Sequence, residues 1–209
     1  MTGALALGVT ACGSDDESDS VTTTAAKAEP AAVVKDVTGG ITRVTLDGGF
    51  VKALTSLKVA PAPVGKAKIS AKGVASFPVT AGNVTYYKPG TVSPYVQGEL
   101  DHDGSGLSLT AGGTKVELTN FVIDPGKSVL TGKVSVNGKE AVPSAPLFFL
   151  DGRTLKPLRL NEQKTKAILE GTTVKLKAEA ADLLNTTFKI DALKAGLVIG
   201  VAKITVPVK

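Results

Sequence analysis

Between residues 41 and 151 the chain repeats one pattern: a short run of alternating apolar and polar side chains, closed by a cluster of Gly, Asn, Asp or Pro. A period of two puts successive side chains on opposite faces of a strand, and the clusters supply the turns between strands. The pattern predicts strands at 41–46, 66–70, 74–80, 83–87, 96–102, 107–111, 114–124, 129–136 and 145–151. Turns are predicted at Ala81-Gly82-Asn83, Asp103-Gly104-Ser105-Gly106, Gly112-Gly113, Pro125-Gly126-Lys127 and Asn137-Gly138, where Gly and Asn tolerate the conformations that tight turns need. Such a series of short strands folds as an antiparallel β-sandwich or barrel, so the fold class is mainly β.

Two segments break the period. Asp47 is a suitable N-cap, and Phe50, Leu54 and Leu57 form one apolar stripe over residues 49–57, as a short helix requires. Residues 178–184, with Glu179-Ala180-Ala181-Asp182-Leu183-Leu184, are strong helix formers that end at Asn185-Thr186-Thr187. Each helix lies between strand-like runs. Val44-Thr45-Leu46, a helix and Gly65-Lys66-Ala67-Lys68-Ile69-Ser70 are echoed by Val174-Lys175-Leu176, a helix and Gly200-Val201-Ala202-Lys203-Ile204-Thr205. A pseudo-repeat of strand-helix-strand units at the two ends would bring those ends together in one sheet and protect its edges.

Charge divides the chain. Residues 13–36 hold six acids and two lysines, a net of −4, whereas residues 37–209 carry a net of +9. The acidic stretch lacks large apolar side chains and should be a flexible tether, followed by a single β-rich domain over 37–209. Before it lies an apolar run ending in the chain's one cysteine, Cys12. Val9-Thr10-Ala11-Cys12 resembles the site at which bacterial lipoproteins are cleaved and acylated, and the resemblance implies a lipid on the Cys12 thiol and an extracytoplasmic, membrane-anchored protein. Residues 1–12 contain no Lys or Arg, unlike a complete secretory signal, so the signal is expected to extend further upstream.

The basic body favours anionic envelope polymers as partners. Its lysines alternate with apolar residues, as in Lys66-Ala67-Lys68-Ile69 and Val174-Lys175-Leu176-Lys177, and therefore line solvated strand faces. Aromatic residues make up 4% of the chain and no helix is basic, which argues against nucleic acid. A monomer is expected.

Catalytic constellations are hard to assemble from these residues. The chain has no Gly-x-Ser-x-Gly motif, Cys12 belongs to the leader, and His102 is its one histidine, so no Ser-His-Asp triad is in sight. Glu99, Asp101 and Asp103 share one strand face beside a glycine-rich turn, where solvent would keep all three ionised. Asp101, Asp103, Ser105 and Gly106 imitate the start of a calcium loop, but Gly112 stands where the twelfth-position acid belongs. The expectation is a protein that is not an enzyme, with no metal site and no assigned cofactor. The remaining candidate is a flat apolar ligand such as haem near Tyr86, Tyr87 and His102, since tyrosine and histidine are ordinary haem ligands.

Two family resemblances add to this reading. The stretch Gly98-Glu99-Leu100-Asp101-His102-Asp103-Gly104-Ser105-Gly106-Leu107-Ser108-Leu109 is similar in outline to the hairpin of Hta-type haem-binding surface domains of Gram-positive bacteria. That family's tryptophan-containing opening has no counterpart here, because the chain has no Trp. A second resemblance, carried by Gly112-Gly113-Thr114-Lys115-Val116-Glu117-Leu118-Thr119-Asn120-Phe121-Val122-Ile123-Asp124, Pro146-Leu147-Phe148-Phe149-Leu150-Asp151 and Ala180-Ala181-Asp182-Leu183-Leu184-Asn185, is to uncharacterised secreted bacterial β proteins. It implies an extracytoplasmic β domain and no particular activity. The main expectation is thus a lipid-anchored envelope protein with a non-enzymatic binding or structural role, and the alternative is a haem or small apolar ligand binder.

Overall fold

The computed structural model describes residues 28–208, so Cys12 and most of the expected tether lie outside the described residues. The elements are β1 (Ala32–Val34), β2 (Ile41–Leu46), α1 (Gly48–Ser56), β3 (Ala60–Gly65), β4 (Lys68–Ile69), β5 (Val74–Pro78), β6 (Ala81–Tyr86), β7 (Val96–Ala111), β8 (Thr114–Asp124), β9 (Val129–Val136), β10 (Lys139–Asp151), β11 (Arg159–Leu160), β12 (Lys166–Leu176), α2 (Ala178–Phe188) and β13 (Val198–Pro207). All strand pairs are antiparallel. The fold is mainly β with two helices, as the period of two predicts.

The strands form one sheet in the order β1-β6-β7-β8-β9-β10-β12-β13-β2-β5-β4, with β11 on β12 and β3 on β7. The sheet curls into a partial barrel. Ends of the path approach one another where Thr80, between β5 and β6, donates its amide to the Asp101 carbonyl of β7 at 2.8 Å, and the connection ahead of β11 reaches across to β6 where the Leu158 amide donates to the Tyr86 hydroxyl at 3.4 Å. The two chain ends meet as expected, since β13 pairs with β2 from Gly200↔Leu46 to Thr205↔Ile41. The helical units close differently, however. β12 and β13 pair with each other across α2, whereas α1 leads into β3, which leaves for β7.

Local chemistry explains most boundaries. Asp47 caps α1 by accepting from the Gly49 and Phe50 amides at 2.7 and 3.1 Å, and Phe50 and Leu54 are buried beneath it. α2 runs past Leu184 to Phe188 because Asn185 turns its side chain onto the backbone of Leu193, at 2.8 and 3.1 Å, while the Thr187 hydroxyl donates to the Leu183 carbonyl. Polar side chains that satisfy themselves in this way need not end a helix.

The structure corrects four sequence expectations, one of them the turn at Ala81-Gly82-Asn83, which instead opens β6 and pairs with β7. Asp103–Gly106 is not a turn: β7 runs unbroken through it, and residues 103–105 bulge opposite Asn120 alone. Gly104 and Asn120 both take positive φ, +69° and +51°, and the Gly104 amide donates to the Asn120 side chain at 3.0 Å. A bulge bends its strand and raises its twist. Here it lets one edge of β7 pair with β6 before the bend and with β3 after it. β3 itself, with Pro61 and Pro63, does not read as a strand; it forms because prolines are tolerated where only one edge is paired. Finally, Ala32–Val34 falls within the expected tether yet pairs with Val84–Tyr86 as the outermost strand, where the β6 edge offers backbone partners to any extended segment.

Candidate functional site

Curling the sheet leaves a cavity of about 520 Å³ between its walls. That size falls within the roughly 300–1,000 Å³ of small-molecule sites, whereas ordinary cores hold few voids larger than a water molecule. Inward side chains of β2, β5, β7, β8, β9, β10, β12 and β13 form the walls: Val44, Ala75, Phe77, Leu107, Phe121, Ile123, Leu130, Phe148, Leu150, Val174 and Ala202 among them. Phe77 and Phe121 meet edge to face, with ring centroids 5.3 Å apart. At Ala75 and Ala202 the sequence keeps small residues where larger ones would fill the space. The barrel is therefore under-packed in its middle.

Two buried polar side chains share the inner wall, His102 and Thr42, which are 1% and 3% exposed, and the half-buried Thr172 of β12 joins them. His102 projects inward because it alternates with Asp101 and Asp103, whose side chains take the outer face of β7. Its Nδ1 lies 3.2 Å from the Phe121 carbonyl and its Nε2 lies 2.8 Å from the Thr42 hydroxyl. A carbonyl only accepts, so Nδ1 carries the proton, Nε2 holds the lone pair, and the Thr42 hydroxyl donates to it. Burial pushes the His102 pKa down, against smaller opposing effects of the Phe121 and Leu100 backbone and of Asp103. The imidazole is consequently neutral at pH 7.

One end of the barrel is rimmed by Ser93, Pro94, Tyr95, Pro125, Ser128, Gly152, Arg153 and Leu155. Charge gathers here. The buried Asp151 carboxylate accepts from Arg153 Nε at 2.9 Å, Arg153 Nη2 at 2.6 Å and Lys175 Nζ at 2.8 Å. The two cations, Arg153 first, hold the Asp151 carboxyl well below the usual carboxylate range. Glu170 binds Lys156, Arg159 and Lys203 in a second cluster that fastens the 152–165 connection to β12, and its pKa falls to about 2.

The three ligand candidates read from the sequence do not share a site. His102 lines the cavity; Tyr86 and Tyr87 do not. Tyr86 pairs with Val96, six residues before His102, which is about 20 Å along a strand. Its ring packs edge to face on Tyr95, with centroids 5.8 Å apart. Tyr95 does reach the cavity rim, and an aromatic beside Pro94 just ahead of a strand was the one local signal for it. Thr42 gave no such signal, being 60 residues from its partner. Glu99, Asp101, Asp103 and Asp124 all lie off the cavity wall. Asp101 has its pKa raised, by partial burial first and by Asp103 second.

No protein-family model and no curated protein sequence matches this chain. Among solved structures the fold is similar to the C-terminal domain of HtaA from Corynebacterium glutamicum, with a TM-score of 0.56 at 12% identity over 83% of this chain and 99% of that one. It is also similar to the heme binding protein HtaB from Corynebacterium glutamicum, with a TM-score of 0.50 at 9% identity over 84% of this chain and 96% of that one. The likeness is one of fold. At that level it bears out the resemblance to Hta-type domains, although residues 98–109, read as a hairpin, run as the single strand β7.

Proposed function

We propose that this domain is a non-enzymatic binding module whose barrel cavity takes a flat, largely apolar small molecule, with haem as the favoured occupant. The observation that carries the reading is the under-packed apolar cavity with one neutral imidazole on its wall. Metal-ligating histidines characteristically donate the other ring N–H to a carboxylate, carbonyl or water, which fixes the tautomer and ring direction. His102 already has this arrangement through Phe121, so its Nε2 is the group that would hold an iron once the Thr42 hydroxyl turns aside. A haem would supply the iron and a flat apolar body. The chain's own residues supply an apolar enclosure and one oriented nitrogen.

The fold likeness to HtaA and HtaB supports this reading over a purely structural role. The lipoprotein-like Val9–Cys12 sequence supports placing the domain outside the cytoplasm on a lipid tether. Titration of the purified chain with haemin, followed in the Soret region, tests the binding. A saturable change at one equivalent that shifts or weakens in His102→Ala is expected. No saturable change would remove haem as the occupant, and an identical spectrum in His102→Ala would remove the role of that residue.

A further inference from the structure

We propose that the cavity's ligand is an amphipathic anion whose carboxylate is received by Arg153 at the rim while its apolar body lies along the wall toward His102. The inference rests on the cavity being a binding site and adds the chemical class of what binds. Polarity along the cavity is one-sided. Deep inside, His102 and Thr42 satisfy each other, so no polar group there demands a polar ligand atom. At the rim the balance differs: Asp151 is shared by two cations, Arg153 and Lys175, leaving one positive charge in surplus.

The geometry favours anion capture. Asp151 grips Arg153 through Nε, Nη2 and the backbone amide, which holds an otherwise exposed guanidinium, 82% open to solvent, in one orientation. Among the described residues its Nη1 donates to no protein group, and the side chain is open to solvent at the cavity rim. The planar fork of a guanidinium suits a carboxylate better than an ammonium does. Neighbouring side chains reinforce the sign. Glu170 on the adjoining strand face is met by Lys156, Arg159 and Lys203, three cations against one acid. An approaching anion meets a positive field around an apolar opening. A haem, with its propionates, and a fatty acid both present this chemistry.

Paired probes that differ only in their carboxylates test the assignment: haemin against haemin dimethyl ester, and cis-parinaric acid against its methyl ester. Binding is measured for the purified chain and for Arg153→Ala and Arg153→Glu. Both variants should fold, with some loss of stability, because Arg153 is exposed and Lys175 still bonds Asp151; a retained cooperative thermal transition above the assay temperature checks this. The acids should bind the native chain more tightly than their esters. Arg153→Ala should weaken acid binding about three- to tenfold, as a partly exposed charge-assisted contact allows, and Arg153→Glu should weaken it further. The esters should bind all three chains alike. Preference for haemin over parinaric acid would identify haem as the carboxylate's source, and the reverse would identify a fatty acid. Equal binding of acids and esters, or acid binding unmoved by Arg153→Glu, would overturn the role of Arg153 and leave cavity binding intact. Failure of all four probes on the native chain would overturn both.

Discussion

Lowering the pH should destabilise this domain through one residue. His102 is the chain's single histidine, is 1% exposed and has its pKa lowered by burial. In the unfolded chain it titrates near the ordinary 6.5. The folded state therefore binds fewer protons than the unfolded state below that pH, and stability present above it is lost as the pH falls. While the native ring stays neutral, the loss approaches about 1.4 kcal/mol per pH unit. Against a typical total of roughly 5–15 kcal/mol, one unit is measurable. The window is also clean. Asp151 and Glu170 have lowered pKa values, so their stabilisation is present above the unfolded carboxyl range, near pH 4, and is lost only as the pH drops through and below it. Urea unfolding at pH 7.5, 6.5 and 5.5 should show the midpoint falling over the last unit, by up to about 0.5–1 M where the native ring stays neutral throughout. In His102→Gln, which hydrogen-bonds but does not titrate, the midpoint should stay level across the same range. A native chain with constant stability from pH 7.5 to 5.5, or a Gln variant that declines as steeply, would refute the buried, neutral assignment.

Two further outcomes follow from local chemistry. Asp47→Ala removes the acceptor for two amides at the start of α1 and should cost about 1 kcal/mol, read as a fall of about 2–4 °C in thermal midpoint for a domain of this size. Cys12→Ala, expressed behind a complete signal n-region in a bacterium that acylates such proteins, should move the protein from the membrane to the soluble fraction. A variant that still sediments with membranes would remove Cys12 as the anchor.

How much was legible along the chain depended on whether an element answered to its own residues or to distant ones. β2, β8 and β9 stand where alternation placed them, with the same first and last residues, because strong turn signals bound them and one face of each is buried. α1 began at its Asp47 cap for the same reason. At Asp103–Gly106 the local signal was outvoted. Glycine there permits a turn, but it equally permits a bulge, and pairing with β8 on both sides of Asn120 favours the bulge. β3 failed the other way, since prolines that forbid a central strand do not forbid a one-sided edge.

By itself, then, the sequence determined the strand class, three of its five expected turns and the Asp47 cap, and a period of two puts His102 on the strand face opposite Asp101 and Asp103. Tertiary structure alone decided that Thr42 would meet that histidine, that Tyr86 would sit about 20 Å along the sheet from it, and that Arg153 would stand at the rim of a cavity. Side-chain direction is a local property of the backbone, set residue by residue. A cavity is what remains when eight strands curl round a space that their inward side chains do not fill, and no single stretch of the chain encodes that sum.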